Sequence, residues 1–529
     1  MAEPENSNRH FISRIKQTAF LPAALIIILG FAVYGNSLNG EFIWADNALV
    51  RDNAYIRDSR YIQNIFTEDI GSGAGIESNS YRPLQMLTYM MDYRLWNLDA
   101  RGYHLSNILL HIWVALAVYW LLNILYHDRL LCLLGSVLFL VHPINTEAVA
   151  YISGRADPLS SLFMLLCFIL YIKATGSWNP IIYLLCLLSF ALALLSRENS
   201  LILPALLILF HYAFRQRLKA RTFLPMLGIA FMYILLRLTL LDYLLPGNSD
   251  AKAVFENLPG FLVAVTNYTR LLLFPFNLHM EYGQRIFKLT DLRAILGLMI
   301  MSGCLIYAFR KRNQNRLLFF SVFWLFIALL PQSNIYPINA YMAEHWLYLP
   351  SIGFFLILSK GLTSFYATGN LKRPAVLFTA GLLAFYSFMT IQQNNYWRQP
   401  IIFFERTIRF VPDSPELLNC LGTAYADADK KDEAIATYRK AIGLDPDYAM
   451  AHFNLGNAYS SLGRKQEAIA YYKKAIELNP GYAKAYYNLA VLYYEQRNYE
   501  LANDYYQRAR ELGHKIHLEF LEVLNDYLL

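Results

Sequence analysis

Ten residues have the types and placement to do chemistry at a membrane surface. They are Asp46, Arg82, His104, Glu147, Arg155, Asp157, Arg197, Glu198, Glu344 and His345. Most sit at the ends of long apolar runs, where charge is costly and tends to mark function. A carboxylate there can take the proton of a hydroxyl, and a guanidinium can meet a departing phosphate. Moving a sugar from a lipid phosphate needs both, with an apolar groove for the lipid. Asp46 is the expected base, and Arg82, Arg155 or Arg197 the expected phosphate partner. Spacing alone leaves Asp46 equally a helix N-cap or one half of a loop ion pair. Any one acid–base pair can equally lock helix ends. His104 and His111 suit helix packing better than metal ligation, so no metal and no cofactor are expected.

The elements that must position these residues are apolar helices. The chain has 529 residues, of which 56% are hydrophobic, and a formal net charge of +7. Mean hydropathy is +0.29, high for a soluble chain and diluted for a membrane one. The dilution is uneven, because the polar, Tyr-rich part begins near Tyr396. An all-α fold follows, with about eleven membrane spans. They centre on 18–35, 104–126, 130–146, 158–174, 180–196, 198–213, 222–243, 291–309, 316–331, 345–365 and 374–391. None of the five cysteines forms a CxxC pair, so no disulfide framework or zinc site is indicated.

The basic residues give orientation. Arg9, Arg14 and Lys16; Arg129; Lys173; Arg215, Arg217, Lys219 and Arg221; Arg310, Lys311, Arg312 and Arg316; and Lys360, Lys372 and Arg373 fall in alternate loops. This pattern places residues 1–17 in the cytoplasm and the C-terminal part outside, and it argues against nucleic acid as a partner. Arg9, Arg14 and Lys16 precede an anchor helix rather than a cleaved signal. The segment Phe261–Phe274 keeps the alternation only if it is re-entrant or interfacial. The first outer loop, 36–103, holds two expected amphipathic helices, Ile56–Ile65 and Leu84–Trp96. A flexible Gly71-Ser72-Gly73-Ala74-Gly75 run joins them.

After the membrane domain, 18–395, a 34-residue period begins, the length of a tetratricopeptide repeat (TPR). Leu421, Leu455 and Leu489 are in register, as are Gly422, Gly456 and Ala490, and Tyr438, Tyr472 and Tyr506. The domain 396–529 therefore reads as a degenerate half repeat, 396–414, then repeats 415–448, 449–482 and 483–516. Such a solenoid binds proteins without chemistry of its own.

The ordered motifs resemble the transmembrane and TPR repeat-containing (TMTC) glycosyltransferases of the GT-C superfamily, relatives of protein O-mannosyltransferases. They are Gly40–Phe42 and Trp44–Asp46; Tyr81-Arg82-Pro83-Leu84; and Gly102-Tyr103-His104-Leu105 with Asn107 and His111. Then follow His142-Pro143 with Glu147-Ala148-Val149; Gly154-Arg155-Ala156-Asp157; Ser196-Arg197-Glu198; Leu271–Pro275 before Glu281-Tyr282; and Ala343-Glu344 with Leu347–Ser351. The resemblance implies a GT-C fold, a catalytic acid in the first outer loop, a polyprenyl-phosphate sugar donor and a protein Ser or Thr acceptor. Two departures stand out. The acidic pair usual in that loop is Ala45-Asp46 here, and His345 stands where an Arg is typical. Altered donor choice, reduced activity and lost activity all stay open on this ground.

The expected function is thus an integral-membrane glycosyltransferase working on the extracytoplasmic face, with the repeats recruiting acceptor protein. A non-catalytic TPR membrane scaffold is the alternative. A flippase is disfavoured by the lack of an inverted repeat. The expected setting is a bacterial inner membrane with a periplasmic TPR domain, the alternative an ER membrane with a lumenal one.

Overall fold

A computed structural model describes residues 5–76, 78, 80–240, 251–283, 286–333 and 340–513. Among them the regular structure is helical, as the apolar periodicity implies. The chain divides into two units, 1–399 and 400–529.

The first unit begins with α1 (Glu5–Tyr34), and its outer loop carries α2 (Ile62–Thr67) and α3 (Pro83–Trp96). Then come α4 (Ala100–Tyr126), α5 (Arg129–Val141), α6 (Thr146–Ala150), α7 (Ala156–Gly176), α8 (Pro180–Ser196), α9 (Leu203–Ala213) and α10 (Ala220–Leu240). It closes with α11 (Ala251–Leu273), α12 (Leu292–Lys311), α13 (Arg316–Leu329), α14 (Ser351–Ala367) and α15 (Lys372–Tyr396). The core lies where α4, α5, α7 and α14 meet, filled by side chains such as Ile108, Leu138, Phe139, Phe168 and Phe355.

This unit is a multi-pass membrane domain. Among the described residues six segments are long and apolar enough to cross a bilayer: 20–39, 100–126, 152–176, 220–239, 292–311 and 372–396. A seventh arises if the pair 129–141 and 143–150, bent by 52°, is one broken span. Four shorter apolar helices, 180–196, 198–213, 316–332 and 351–367, complete the series. At 1.5 Å per residue the shorter ones reach about 25 Å, less than the ~30 Å hydrocarbon layer. The expected windows therefore coincide with apolar helices in order, but only six or seven have full spanning length. The end of the window 222–243 lies outside the described residues.

One segment is longer than its apolar run, and two local expectations need correction. Phe261–Leu273 is the latter part of a 23-residue helix, α11, which runs on through Pro259, and Phe274 follows its end; this helix is not among the six segments of spanning length and composition. It packs along α12, and at Gly297 the two backbones come so close that a Cβ would lie 1.9 Å from the Leu262 carbonyl oxygen. Ile56–Ile65 is not one helix. Asp58 accepts from the Arg60 amide and starts a single tight turn, so α2 begins only at Ile62. The Gly71–Gly75 run is a packed turn, with the Gly73 carbonyl accepting from Ala54 and Asp69 capping the Gly71 amide at 2.6 Å.

The second unit is a run of helices, α16 (Pro400–Ile408), α17 (Pro415–Asp427), α18 (Lys431–Leu444), α19 (Ala449–Ser461), α20 (Lys465–Leu478), α21 (Ala483–Glu495) and α22 (Tyr499–Glu511). Each repeat is a packed pair: α17 with α18, α19 with α20, α21 with α22. The register explains the packing. Ala434, Ala468 and Ala502 are fully buried, and Tyr438, Tyr472 and Tyr506 nearly so. Gly422 and Gly456 face those rings, where a Cβ would stand 2.5 and 2.7 Å from Tyr438 and Tyr472. The expected half repeat starts at Pro400, because Tyr396 still belongs to α15. Residues 514–516 of the last repeat lie outside the described residues.

Candidate functional site

Asp46 sits where the backbone is least regular. Trp44 has φ +52°, a left-handed conformation that is uncommon for a bulky side chain, and a π turn over Asn47–Arg51 follows. The Asp46 side chain neither caps that turn nor forms an ion pair. Its Oδ2 accepts from the Ile43 amide at 3.0 Å, and its Oδ1 accepts from the Ser153 amide at 2.8 Å and the Ser153 hydroxyl at 2.5 Å. The residue is only 1% exposed. Burial pushes its carboxyl up to about 7, against the pull of the Ser153 and Ile43 bonds and the Arg155 charge.

The stretch that presents Ser153 is braced from several sides. Asn107 on α4 donates to the carbonyls of Val149, Tyr151 and Ile152. On α3, Tyr89 donates to the Ile152 carbonyl at 3.0 Å and Gln85 to that of Ser153 at 3.1 Å. Gly154 allows the turn to lie flat on α6, since a Cβ there would be 2.5 Å from the Glu147 carbonyl oxygen. Tyr151 accepts from the Ala45 amide at 3.2 Å.

Arg155 completes the brace. It is 0% exposed and pairs with Asp92 at 2.6 Å. It also donates to Asn107 at 2.7 Å, to Thr88 at 3.2 Å and to the Tyr103 carbonyl at 3.0 Å. The guanidinium lies 4.6 Å from the centre of the Tyr89 ring. Its donors are engaged by α3 and α4, so Arg155 holds the first outer loop on the helices rather than facing a ligand.

A second group of charges opens to solvent at Arg82, Glu198 and His345, while its members Glu147, Asp157 and Arg197 are buried. Arg82 grips Glu198 with two bonds, at 3.1 and 3.4 Å, and the two side chains remain 18% and 28% exposed. Arg197 pairs with Asp157. Glu147 accepts from the His345 amide at 2.9 Å and faces its ring Nδ1 at 2.5 Å. These are one electrostatic neighbourhood: Arg197 is in range of Glu147 and Glu198, and Arg82, Asp157 and Arg197 are in range of His345. Glu344 accepts from the His279 amide and the Tyr282 hydroxyl at 2.6 and 2.7 Å.

The expected residues thus assemble in two places. Asp46 and Arg155 belong to the loop network, while Arg82, Glu147, Asp157, Arg197, Glu198 and His345 share the open cluster. His104 lies in electrostatic range of Arg155 at the edge of the loop network and packs on Gly40, where a Cβ would lie 2.6 Å from Nε2. His111 bonds Tyr348 and the Leu140 carbonyl within the core. Among the described residues no group of three or more His, Cys, Asp or Glu is arranged to hold a metal. An apolar cavity of about 190 Å³ lies between α11, α12, α13 and α14, lined by Tyr268, Leu272, Ile300, Phe326 and Phe354 among others. Tyr268 bonds the Ala343 backbone and is in electrostatic range of Glu147 and Glu344, which ties the cavity to the open cluster.

Tetratricopeptide-repeat profiles match 424–463, 449–482 and 471–502. A protein O-mannosyl-transferase of Caenorhabditis elegans is 28% identical over 80% of this chain and 63% of its own length. Protein O-mannosyl-transferase TMTC3 of Mus musculus is 25% identical over 82% of this chain and 52% of its own. TMTC1 of Homo sapiens is 27% identical over 83% and 57%. Its curated relatives are TMTC protein O-mannosyl-transferases. The chain spans between about half and two thirds of the length of these relatives. Among solved structures, the crystal structure of MamA is 25% identical over 30% of this chain and 87% of that one, with a TM-score of 0.21.

Sequence reasoning missed Ser153 as the partner of Asp46 and Tyr151 as the partner of the Ala45 amide. Ser153 sits one residue before the Gly154-Arg155 motif, but a lone serine near a helix start reads as a turn residue. Asp92, visible only as one of many loop acids, is the partner that fixes Arg155.

Proposed function

We propose that the chain is an integral-membrane glycosyltransferase that moves a sugar from a polyprenyl phosphate to a Ser or Thr hydroxyl of a protein. The observation that carries this reading is the Arg82–Glu198 pair. It is the most exposed ion pair of the charged cluster, in a chain whose relatives are named protein O-mannosyl-transferases. Arg82 meets the phosphate oxygens of the donor, with Glu198 holding the guanidinium in place. The cavity beside Tyr268 takes the first units of the polyprenyl tail. The acceptor oxygen attacks the anomeric carbon, the bond from that carbon to the phosphate oxygen breaks, and polyprenyl phosphate leaves. The acceptor's proton ends on Asp46, which must be ionised to receive it.

The face of action is extracytoplasmic, supported by the alternating basic loops, with the repeats on that side to hold acceptor protein. A bacterial inner membrane is the favoured setting and an ER membrane the alternative.

The test is transfer by purified full-length protein, given polyprenyl-phosphate mannose and a Ser- and Thr-rich acceptor polypeptide. Mannosylated acceptor is expected, with Asp46→Asn and Arg82→Ala each lowering turnover about 100-fold or more. The second reading, a TPR scaffold, is favoured by the burial of Asp46. It predicts no transfer by the wild type and no cellular defect from either substitution.

A further inference from the structure

A base that is 1% exposed cannot itself touch an acceptor hydroxyl. Ser153 can, because it is only half-buried and its Oγ lies 2.5 Å from Asp46 Oδ1. We propose that the Ser153 hydroxyl is the proton relay between the acceptor and Asp46. This extends the catalytic reading above and rests on it.

The bonding around Asp46 favours this route over direct abstraction. A carboxylate offers about four lone-pair positions. Both on Oδ1 are filled by Ser153, through its amide and its hydroxyl, and one on Oδ2 by the Ile43 amide. The hydroxyl already points its proton at the carboxylate; the Tyr151 hydroxyl is in hydrogen-bond range of the Ser153 side chain, which leaves one of the two Oγ lone pairs to accept another proton.

The step balances. As the acceptor oxygen attacks the anomeric carbon, its proton passes to Ser153 Oγ. The proton that Ser153 held passes to Asp46 Oδ1. Serine ends neutral, the carboxyl ends protonated, and the departing phosphate carries the charge that the carboxylate has lost. No atom changes oxidation state, so no oxidant or reductant is needed.

The surroundings hold this geometry. Gln85 fixes the Ser153 carbonyl and Tyr89 that of Ile152, while Gly154 lets the turn seat on α6. The ionisable groups facing Asp46 are Arg155, Tyr151 and Tyr89. Arg155 favours the ionised carboxylate. Tyr151 is the other nearby hydroxyl, but it is buried and already accepts from the Ala45 amide.

The test uses full-length protein with polyprenyl-phosphate mannose and the same acceptor. Ser153→Ala is expected to lower kcat about 100-fold while KM changes less than threefold. Ser153→Thr, which keeps a hydroxyl, should retain at least a tenth of kcat. In mixtures of H2O and D2O under saturating substrate, the wild-type rate should bow below a straight line, as two protons in flight require. That measurement needs no variant and so stands even if Ser153→Ala fails to fold. An active wild type with a linear isotope dependence, or an active Ser153→Ala with normal kcat, overturns the relay alone. A wild type that transfers no mannose overturns both the relay and the catalytic reading on which it rests.

Discussion

Arg82 and Arg155 are both arginines near the outer rim, yet they face opposite demands. Arg155 is enclosed, and removing it strands Asp92 without its counter-charge at 7% side-chain exposure. Arg155→Ala is therefore expected to destabilise the protein by about 3–5 kcal/mol, seen as a large fall in unfolding temperature. Arg82 pairs in a partly wetted site, where such a pair contributes about 0.2–1 kcal/mol. Arg82→Ala should leave the unfolding temperature nearly unchanged and remove transfer. Equal losses of stability in the two variants would contradict this division. Asp46 adds a pH signature. Its folded carboxyl is raised from 3.8 to about 7, so the native state binds the extra proton between those values. Stability attributable to Asp46 is present below about pH 4 and is lost as pH rises through about 7. Activity runs the other way, rising through about pH 7 as the base ionises; a rate flat from pH 5 to 8 would rule Asp46 out. The charged residues themselves were legible in the sequence, because charge at the end of an apolar run is conspicuous. Their partners were not. Arg155 and Asp157 are neighbours in the chain, as are Arg197 and Glu198, yet Arg155 pairs with Asp92, Asp157 with Arg197 and Glu198 with Arg82. Pairing is settled by which helix ends meet, which short spacing does not encode.

The helices were legible where composition alone decides them. Apolar windows marked the membrane helices, and a 34-residue period marked the repeats, since each repeat must bury the same small and aromatic positions against its neighbour. The first outer loop was less legible because its turns depend on single side-chain caps such as Asp58 and Asp69. The length of α11 was hidden by Pro259 and by polar residues in its first turns, which interrupt the apolar run without ending the helix. Two glycines carry close approaches that no periodicity reveals. Gly297→Ala would drive a methyl into the Leu262 carbonyl, so α11 and α12 must separate. Gly154→Ala would push the Ser153 turn off α6. Gly297→Ala should lower the unfolding temperature, whereas Gly154→Ala should depress transfer more than stability by displacing Ser153 from Asp46. If Gly154→Ala transferred at the wild-type rate, the turn would have no part in placing the relay.

For the repeats to hold acceptor for this site, they and the first outer loop must share one face of the membrane. Single cysteines at exposed positions such as Arg60 and Glu477 should react together with an impermeant maleimide from outside sealed cells, while one at Lys311 should not. Labelling of the loop but not of the repeats would mean that α11 crosses the bilayer and that the repeats cannot hold an acceptor for this site. The central claim is chemical, and the direct measurement is mannose transfer by purified wild type and Asp46→Asn, each given polyprenyl-phosphate mannose and the acceptor polypeptide at pH 8. Mannosylated acceptor is expected from the wild type, and about 100-fold less or none from Asp46→Asn. Transfer by neither protein, or equal transfer by both, would contradict it.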